Sequence, residues 1–202
     1  MMRKALMAAL LVGSTVGTAN AQRYEQTGDG VTVTPARGPA KVTLAVHGDG
    51  IVHVVATPRN GTGAVAKPSL MAPTPPAAGP FTVAQEKGHV LVRTARTTAD
   101  VDLQTGAVRF LDPAGRELLA EAGAPSFRPT RIDGKPYVAV SQQFNRGTEE
   151  GLYGLGQHQN AQMDYNGEDV ELAQHNMDIG VPFLVSTRGY GLLWDNNGVT
   201  RF

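Results

Sequence analysis

Apolar residues recur at every second position through most of the chain. Val31-Thr32-Val33, Lys41-Val42-Thr43-Leu44-Ala45-Val46 and His89-Val90-Leu91-Val92-Arg93-Thr94 carry this period, which turns one side of a β-strand to a core and leaves the other wet. Turn signals break the runs at short intervals: Gly48-Asp49-Gly50, Gln104-Thr105-Gly106 and Asp112-Pro113-Ala114-Gly115. Val101-Asp102-Leu103, a Thr-Gly turn and Ala107-Val108-Arg109-Phe110-Leu111 make the clearest hairpin. The best helix-compatible stretch, Arg116 to Ala122, is short and suits a strand end equally. The pattern predicts an all-β chain, an antiparallel β-sandwich throughout.

Two stretches depart from that rhythm. Residues 58–80 hold six prolines among Gly, Ala and Ser, a composition that keeps the backbone extended and weakly packed and predicts a long loop. At the other end, Gly189 to Asp195 and Val199 to Phe202 look like a hairpin whose second strand is still running at the last residue. Domains seldom finish in mid-strand without a tail, so the expectation is a chain that continues beyond this point.

Composition narrows the setting. Arg3 and Lys4 precede an apolar run from Ala5 to Val16 and then Ala19-Asn20-Ala21, the small-x-small pattern of a signal-peptidase site, so the first 21 residues read as a signal peptide. A membrane anchor is the alternative, but the run is well short of the roughly 20 residues a spanning helix needs. The expectation is a periplasmic or secreted protein with no membrane segment after cleavage and a single domain over 22–202. There are no cysteines, which removes disulfides and thiol chemistry. With 18 Lys+Arg against 18 Asp+Glu and no basic cluster after the leader, there is no electrostatic footprint for nucleic acid.

The densest set of chemistry-bearing residues lies in 151–178. Gly151, Gly154 and Gly156 allow positive φ and close backbone approach, but their spacing is not that of a dinucleotide fingerprint and no βαβ pattern surrounds them. His158, Asp164, Glu168, Asp169, Glu171, His175 and Asp178 fit no compact metal-ligand motif. In Asp164-Tyr165-Asn166-Gly167-Glu168-Asp169 the glycine comes too early for a calcium loop. His47 and His53 flank the Gly48-Asp49-Gly50 turn and could meet across a hairpin, two ligands where zinc takes three or four. Ser126, Ser141 and Ser186 lack a nucleophile elbow. Glycoside hydrolysis needs two carboxylates about 5–5.5 Å apart for retention or about 6.5–9.5 Å for inversion, and no acid here sits in a context that fixes such a pair. Tyr153, Tyr165, Tyr190 and Trp194 offer sugar-stacking rings, although aromatics on strands are more often core.

Tyr153-Gly-Leu-Gly-Gln-His-Gln159, Met163-Asp-Tyr165, Val170-Glu-Leu-Ala-Gln-His-Asn176, Val181-Pro-Phe-Leu-Val-Ser186 and Gly189-Tyr-Gly-Leu-Leu-Trp-Asp-Asn196 form an ordered series. It resembles family 31 of the glycoside hydrolases, and within that family the bacterial α-xylosidases. The hairpin from Val101 to Asp112 with Gly115-Arg-Glu-Leu-Leu119 also fits that family's N-terminal domain. The resemblance implies a galactose-mutarotase-like sandwich preceding a (β/α)-barrel that is absent here. It implies retaining hydrolysis of an α-linked xyloside or glucoside by two aspartates on that barrel. No catalytic residue is therefore carried over, no cofactor or metal is implied, and the segment alone is expected to be inactive. In the family a sandwich loop reaches the barrel mouth; the matching stretch is Gln174-His175-Asn176-Met177-Asp178, which makes Asn176 and Asp178 the expected substrate-binding residues. Their other reading is a polar edge that seals the domain interface. A free-standing carbohydrate-binding sandwich using Tyr165, Trp194 and the 151–178 loop is the alternative function, and a purely structural periplasmic partner is a third.

Overall fold

A computed structural model describes residues 23–59 and 69–202. The stretch 1–21, expected to be a signal peptide, and residues 60–68 of the proline-rich stretch lie outside the described residues. Every regular element among the described residues is a β-strand, and all strand pairs are antiparallel.

The first sheet is built from β1 (Tyr24–Gln26), β2 (Gly30–Val33), β3 (Ala40–His47) and β4 (Ile51–Pro58), side by side in chain order. The second is a five-stranded meander of β5 (Thr82–Glu86), β6 (His89–Arg93), β7 (Thr98–Asp102), β8 (Val108–Leu111) and β9 (Glu117–Ala120). The alternation in the sequence is what joins them. Val31, Val33, Val42, Leu44 and Val46 on the first sheet share one core with Val90, Val92, Ala99, Val101 and Val108 on the second. Burying each such aliphatic side chain is worth roughly 1.5–3 kcal/mol, so this shared face holds the two layers together.

The hairpin expected around Gln104-Thr105-Gly106 forms, with Val101 opposite Val108. The stretch from Arg116 to Ala122 resolves as strand β9, not helix. The proline-rich stretch is less loose at its end than its composition suggests. The amide of Gly48 donates to the Ala77 carbonyl and that of Gly79 to the Gly48 carbonyl, while His47 Nδ1 lies 2.9 Å from the Pro76 carbonyl oxygen. The returning chain is therefore fixed to the β3–β4 turn. His47 and His53 do approach there, with ring centroids 6.2 Å apart.

The remaining strands are β10 (Ser126–Ile132), β11 (Lys135–Ser141), β12 (Leu152–Gln157), β13 (Glu171–Leu172), β14 (Ile179–Ser186), β15 (Tyr190–Leu193) and β16 (Thr200–Arg201). β10 and β11 form a separate hairpin, β12, β14 and β15 a three-stranded sheet with β14 central, and β13 and β16 a short pair. A second core of Leu155, Tyr165, Val170, Leu172 and Leu184 sits beneath them, with Tyr190, Leu192 and Phe202 packed against it. One expectation is corrected here. Gly189–Asp195 does not form a hairpin with Val199–Phe202: β15 pairs with β14 and β16 pairs with β13. Gly189, at φ 87, closes a tight turn from Ser186 to Tyr190, and the Asn196–Gly198 turn then sends the chain to β13 instead.

Candidate functional site

Two sequence motifs meet at one end of the β12–β14–β15 sheet. β12 ends in Gly154-Leu155-Gly156-Gln157, and β14 begins directly after the turn His175-Asn176-Met177-Asp178. Gly154 and Gly156 take φ of 116 and 105, and a Cβ on Gly156 would stand 1.8 Å from the Ile179 carbonyl oxygen. Only glycine lets β12 approach β14 that closely. The register slips between these two glycines, a bulge of the kind that redirects a strand end.

Redirection brings Gln159 against the 175–178 turn. The Gln159 amide donates to Asp178 Oδ1 at 3.3 Å, and Gln159 Nε2 lies 3.4 Å from Met177 Sδ. The turn closes on itself through the Asp178 amide and the His175 carbonyl oxygen, with Met177 at φ 72. Asn176 is exposed and Asp178 half-buried, so both expected sugar contacts lie on a single projecting tip. His158 Nε2 is fixed at 2.9 Å from the Leu155 carbonyl oxygen, its ring edge-on to Tyr165.

The aromatic candidates divide. Tyr165 is buried in the second core, and Tyr190 packs on it, so neither ring is open to a ligand and the stacking role expected of Tyr165 is withdrawn. Trp194 is half-buried, and Tyr153 is exposed.

At the opposite end of the sheet, where Leu152 pairs with Ser186, lies a polar knot that the sequence reading did not single out. The carboxylate of Glu150, only 4% exposed, accepts hydrogen bonds from the Ser186 hydroxyl, from the Tyr190 hydroxyl at 2.7 Å and from the Gly147 amide. The Arg188 guanidinium stands 3.5 Å away. Burial pushes the Glu150 carboxyl up, but these donors and the Arg188 charge more than offset it, leaving it below its ordinary value. The same environment pushes the Tyr190 hydroxyl well above its ordinary value. Nothing local in the sequence marks Glu150, because the hydroxyls that bond it come from 36 and 40 residues downstream.

Asp164 secures the adjoining loop. It accepts the amides of Leu152 and Asn166, which hold its carboxyl below the usual range. Asn166 in turn donates to the carbonyls of Gly147 and Glu150. An open cleft of about 610 Å³ runs past this loop, lined by Arg146, Glu149, Tyr153, Asp164 and Thr187 among others. Of its carboxylates Asp164 is held by backbone amides, Glu150, which also lines the cleft, by the donors of the knot, and Glu149 is exposed, which suits holding a loop better than moving a proton.

The outer face of the same sheet is apolar. Tyr153, Val181, Phe183, Val185 and Leu193 are all exposed, and the register puts Tyr153 beside Val185 and Phe183 beside Leu193. A contiguous apolar patch of this kind marks an interaction surface.

Residues 41–202 match the family described as the glycosyl hydrolase 31 N-terminal galactose mutarotase-like domain. The crystal structure of a family 31 α-xylosidase from Xanthomonas citri superposes with a TM-score of 0.79 at 44% sequence identity, over 87% of this chain and 19% of that one. A soil-metagenome α-xylosidase of the same family, crystallised with xylose, shares the fold at 23% identity and a TM-score of 0.70, over 88% of this chain and 28% of its own. An α-xylosidase of Saccharolobus solfataricus is 46% identical over 66 residues, 28% of this chain and 9% of that protein. The chain thus spans a small part of the length of the proteins it matches.

Proposed function

The chain belongs to glycoside hydrolase family 31, and from that premise we propose that it is the N-terminal domain of an exported, retaining α-glycosidase, an α-xylosidase in the first instance. In this reading the domain packs on a catalytic (β/α)-barrel that follows it in the polypeptide and lends the 174–178 turn to the sugar site. The observation that carries the reading is the 44% identity sustained over 87% of the chain with the Xanthomonas citri enzyme. The apolar outer face of β12, β14 and β15 supports the packing, since a face of that kind needs a cover.

Catalysis belongs to the barrel in this reading. Among the described residues the carboxylates of this sheet serve structural ends: at the tip Asp178 caps an amide and Glu171 lies 3.7 Å from His175, and at the far end Asp164 accepts two amides and Glu150 is saturated with donors. The test is to express the gene through any coding sequence after Phe202 and assay hydrolysis of aryl α-xyloside and α-glucoside, beside the 202-residue chain. The expected result is α-xyloside hydrolysis by the extended product and none by the segment. A reading frame that stops at Phe202, with saturable binding of xyloglucan oligosaccharides by the segment, would favour the free-standing binding module instead.

A further inference from the structure

The β10–β11 hairpin stands apart from both cores. Its strands pair over seven positions, from Ser126 opposite Ser141 to Ile132 opposite Lys135, and neither packs on another strand to any appreciable extent. Every residue of β11 is exposed, and β10 is exposed except for Phe127. A two-stranded hairpin alone in water is marginal, so its faces carry the information about what it is for.

Those faces differ. Cross-strand neighbours share a side, so Phe127 with Val140, Pro129 with Val138 and Arg131 with Pro136 lie on one face. That face is apolar apart from Arg131 near the turn. The other carries Ser126, Ser141, Arg128, Thr130 and Lys135, with Tyr137 and Ile132 toward the tip.

A proline interrupts each edge of the hairpin. The turn is two residues, Asp133 and Gly134, both at positive φ, which makes Ile132 and Lys135 a hydrogen-bonded pair. Pairs alternate from there, so Pro129 and Pro136 both fall at positions whose backbone nitrogen faces outward. Pro129 is in the middle of the outward row Phe127, Pro129, Arg131, and Pro136 begins the outward row Pro136, Val138, Val140, so each edge lacks one donor, a device that discourages edge-to-edge pairing. The apolar face is the broader surface left to a partner.

The area decides which partner. Six side chains on one hairpin face fall well short of the roughly 800 Å² that each partner of a stable complex gives up, so the face is too small to hold a second copy of this chain. It suffices for a partner already tethered, whose effective concentration is high. Arg131 is the one charge on this face, which favours a carboxylate opposite it on the partner.

We propose that the apolar face of the β10–β11 hairpin is a docking arm for the domain that follows Phe202 in the same polypeptide, a partner presenting an apolar patch with a carboxylate opposite Arg131. This rests on the reading that such a domain exists, and it adds a second contact, remote in sequence from the 174–178 turn.

The experiment compares thermal unfolding of the extended gene product and of the 202-residue chain. One variant carries Val138→Glu with Val140→Glu on the apolar face; the control carries Thr130→Glu with Ala139→Glu on the opposite face. The expected result is a fall in Tm of several degrees for the apolar-face pair in the extended product only, with the control unmoved in both. Amide exchange should agree, with hairpin protection rising from the short chain to the extended product. An apolar-face pair that leaves the extended product unchanged, or lowers both proteins equally, overturns the proposal. If the extended product hydrolyses α-xyloside while the hairpin is insensitive, only this inference fails; if no downstream domain exists, the functional reading fails with it.

Discussion

The Tyr190 hydroxyl donates to Glu150 Oε1 at 2.7 Å, tying β15 to the segment that leads into β12. Tyr190→Phe removes this donor from a buried charge and should cost about 1.5–3 kcal/mol in urea unfolding, the range for hydrogen bonds to charged groups. The pH dependence has a definite sign. Glu150 is held below its ordinary value in the folded chain, so its contribution is present above the unfolded pKa and is lost as pH falls through the folded one. A Tyr190→Phe chain as stable as the parent would remove the knot from the account.

Glu121 behaves oppositely. Burial pushes its carboxyl up to about 7 although the Val108 amide, a donor to Oε2 at 2.8 Å, pulls it down. A folded pKa above the unfolded one means that the unfolded chain releases the proton first. Stability from this group is therefore full below the unfolded value of about 4.5 and falls as pH rises toward about 7. Glu121→Gln keeps an acceptor for Val108 and removes the charge. Its stability should match the parent near pH 4 and exceed it by on the order of 1 kcal/mol or more at pH 8. Parallel stability curves across that range would contradict the assignment.

Gly156 and Gly189 separate two costs. Both hold positive φ, 105 and 87, but a Cβ on Gly189 meets nothing within 4 Å whereas one on Gly156 meets the Ile179 carbonyl oxygen at 1.8 Å. Gly189→Ala should cost about 1 kcal/mol from backbone strain alone. Gly156→Ala adds a clash that only separation of β12 from β14 relieves, so its loss should be at least twice as large. Equal losses in denaturant unfolding would mean that the strands part freely there.

The first sandwich was legible because its strands are short apolar runs with turns close by; in β3 Val42, Leu44 and Val46 face inward as their period of two requires, while β6 and β7 bury three residues in a row. The glycines of 151–156 were legible for the same local reason. Pairing across long separations was not. Nothing in Val199-Thr200-Arg201 states that its partner is β13 and not the adjacent β15, and nothing beside Glu150 announces Ser186 and Tyr190. Tyr165 shows a related limit: an aromatic in a polar motif looks available to a ligand until the fold buries it under Leu155 and Leu172.

Asn176 and Asp178 share a turn but not a job, and that difference makes their role testable in the full-length product. Asn176 is exposed, so Asn176→Ala should leave stability within about 0.5 kcal/mol of the parent. If its amide touches the sugar, the lost hydrogen bond of about 0.5–1.5 kcal/mol raises KM for α-xyloside roughly 2- to 10-fold. Asp178 also caps the Gln159 amide. Asp178→Asn retains an oxygen for that cap while removing the charge, and Asp178→Ala loses both. A sugar contact predicts that Asp178→Asn changes KM with little change in Tm; a turn that only seals the domain interface predicts the reverse, with Tm falling in Asp178→Ala and KM steady in all three variants.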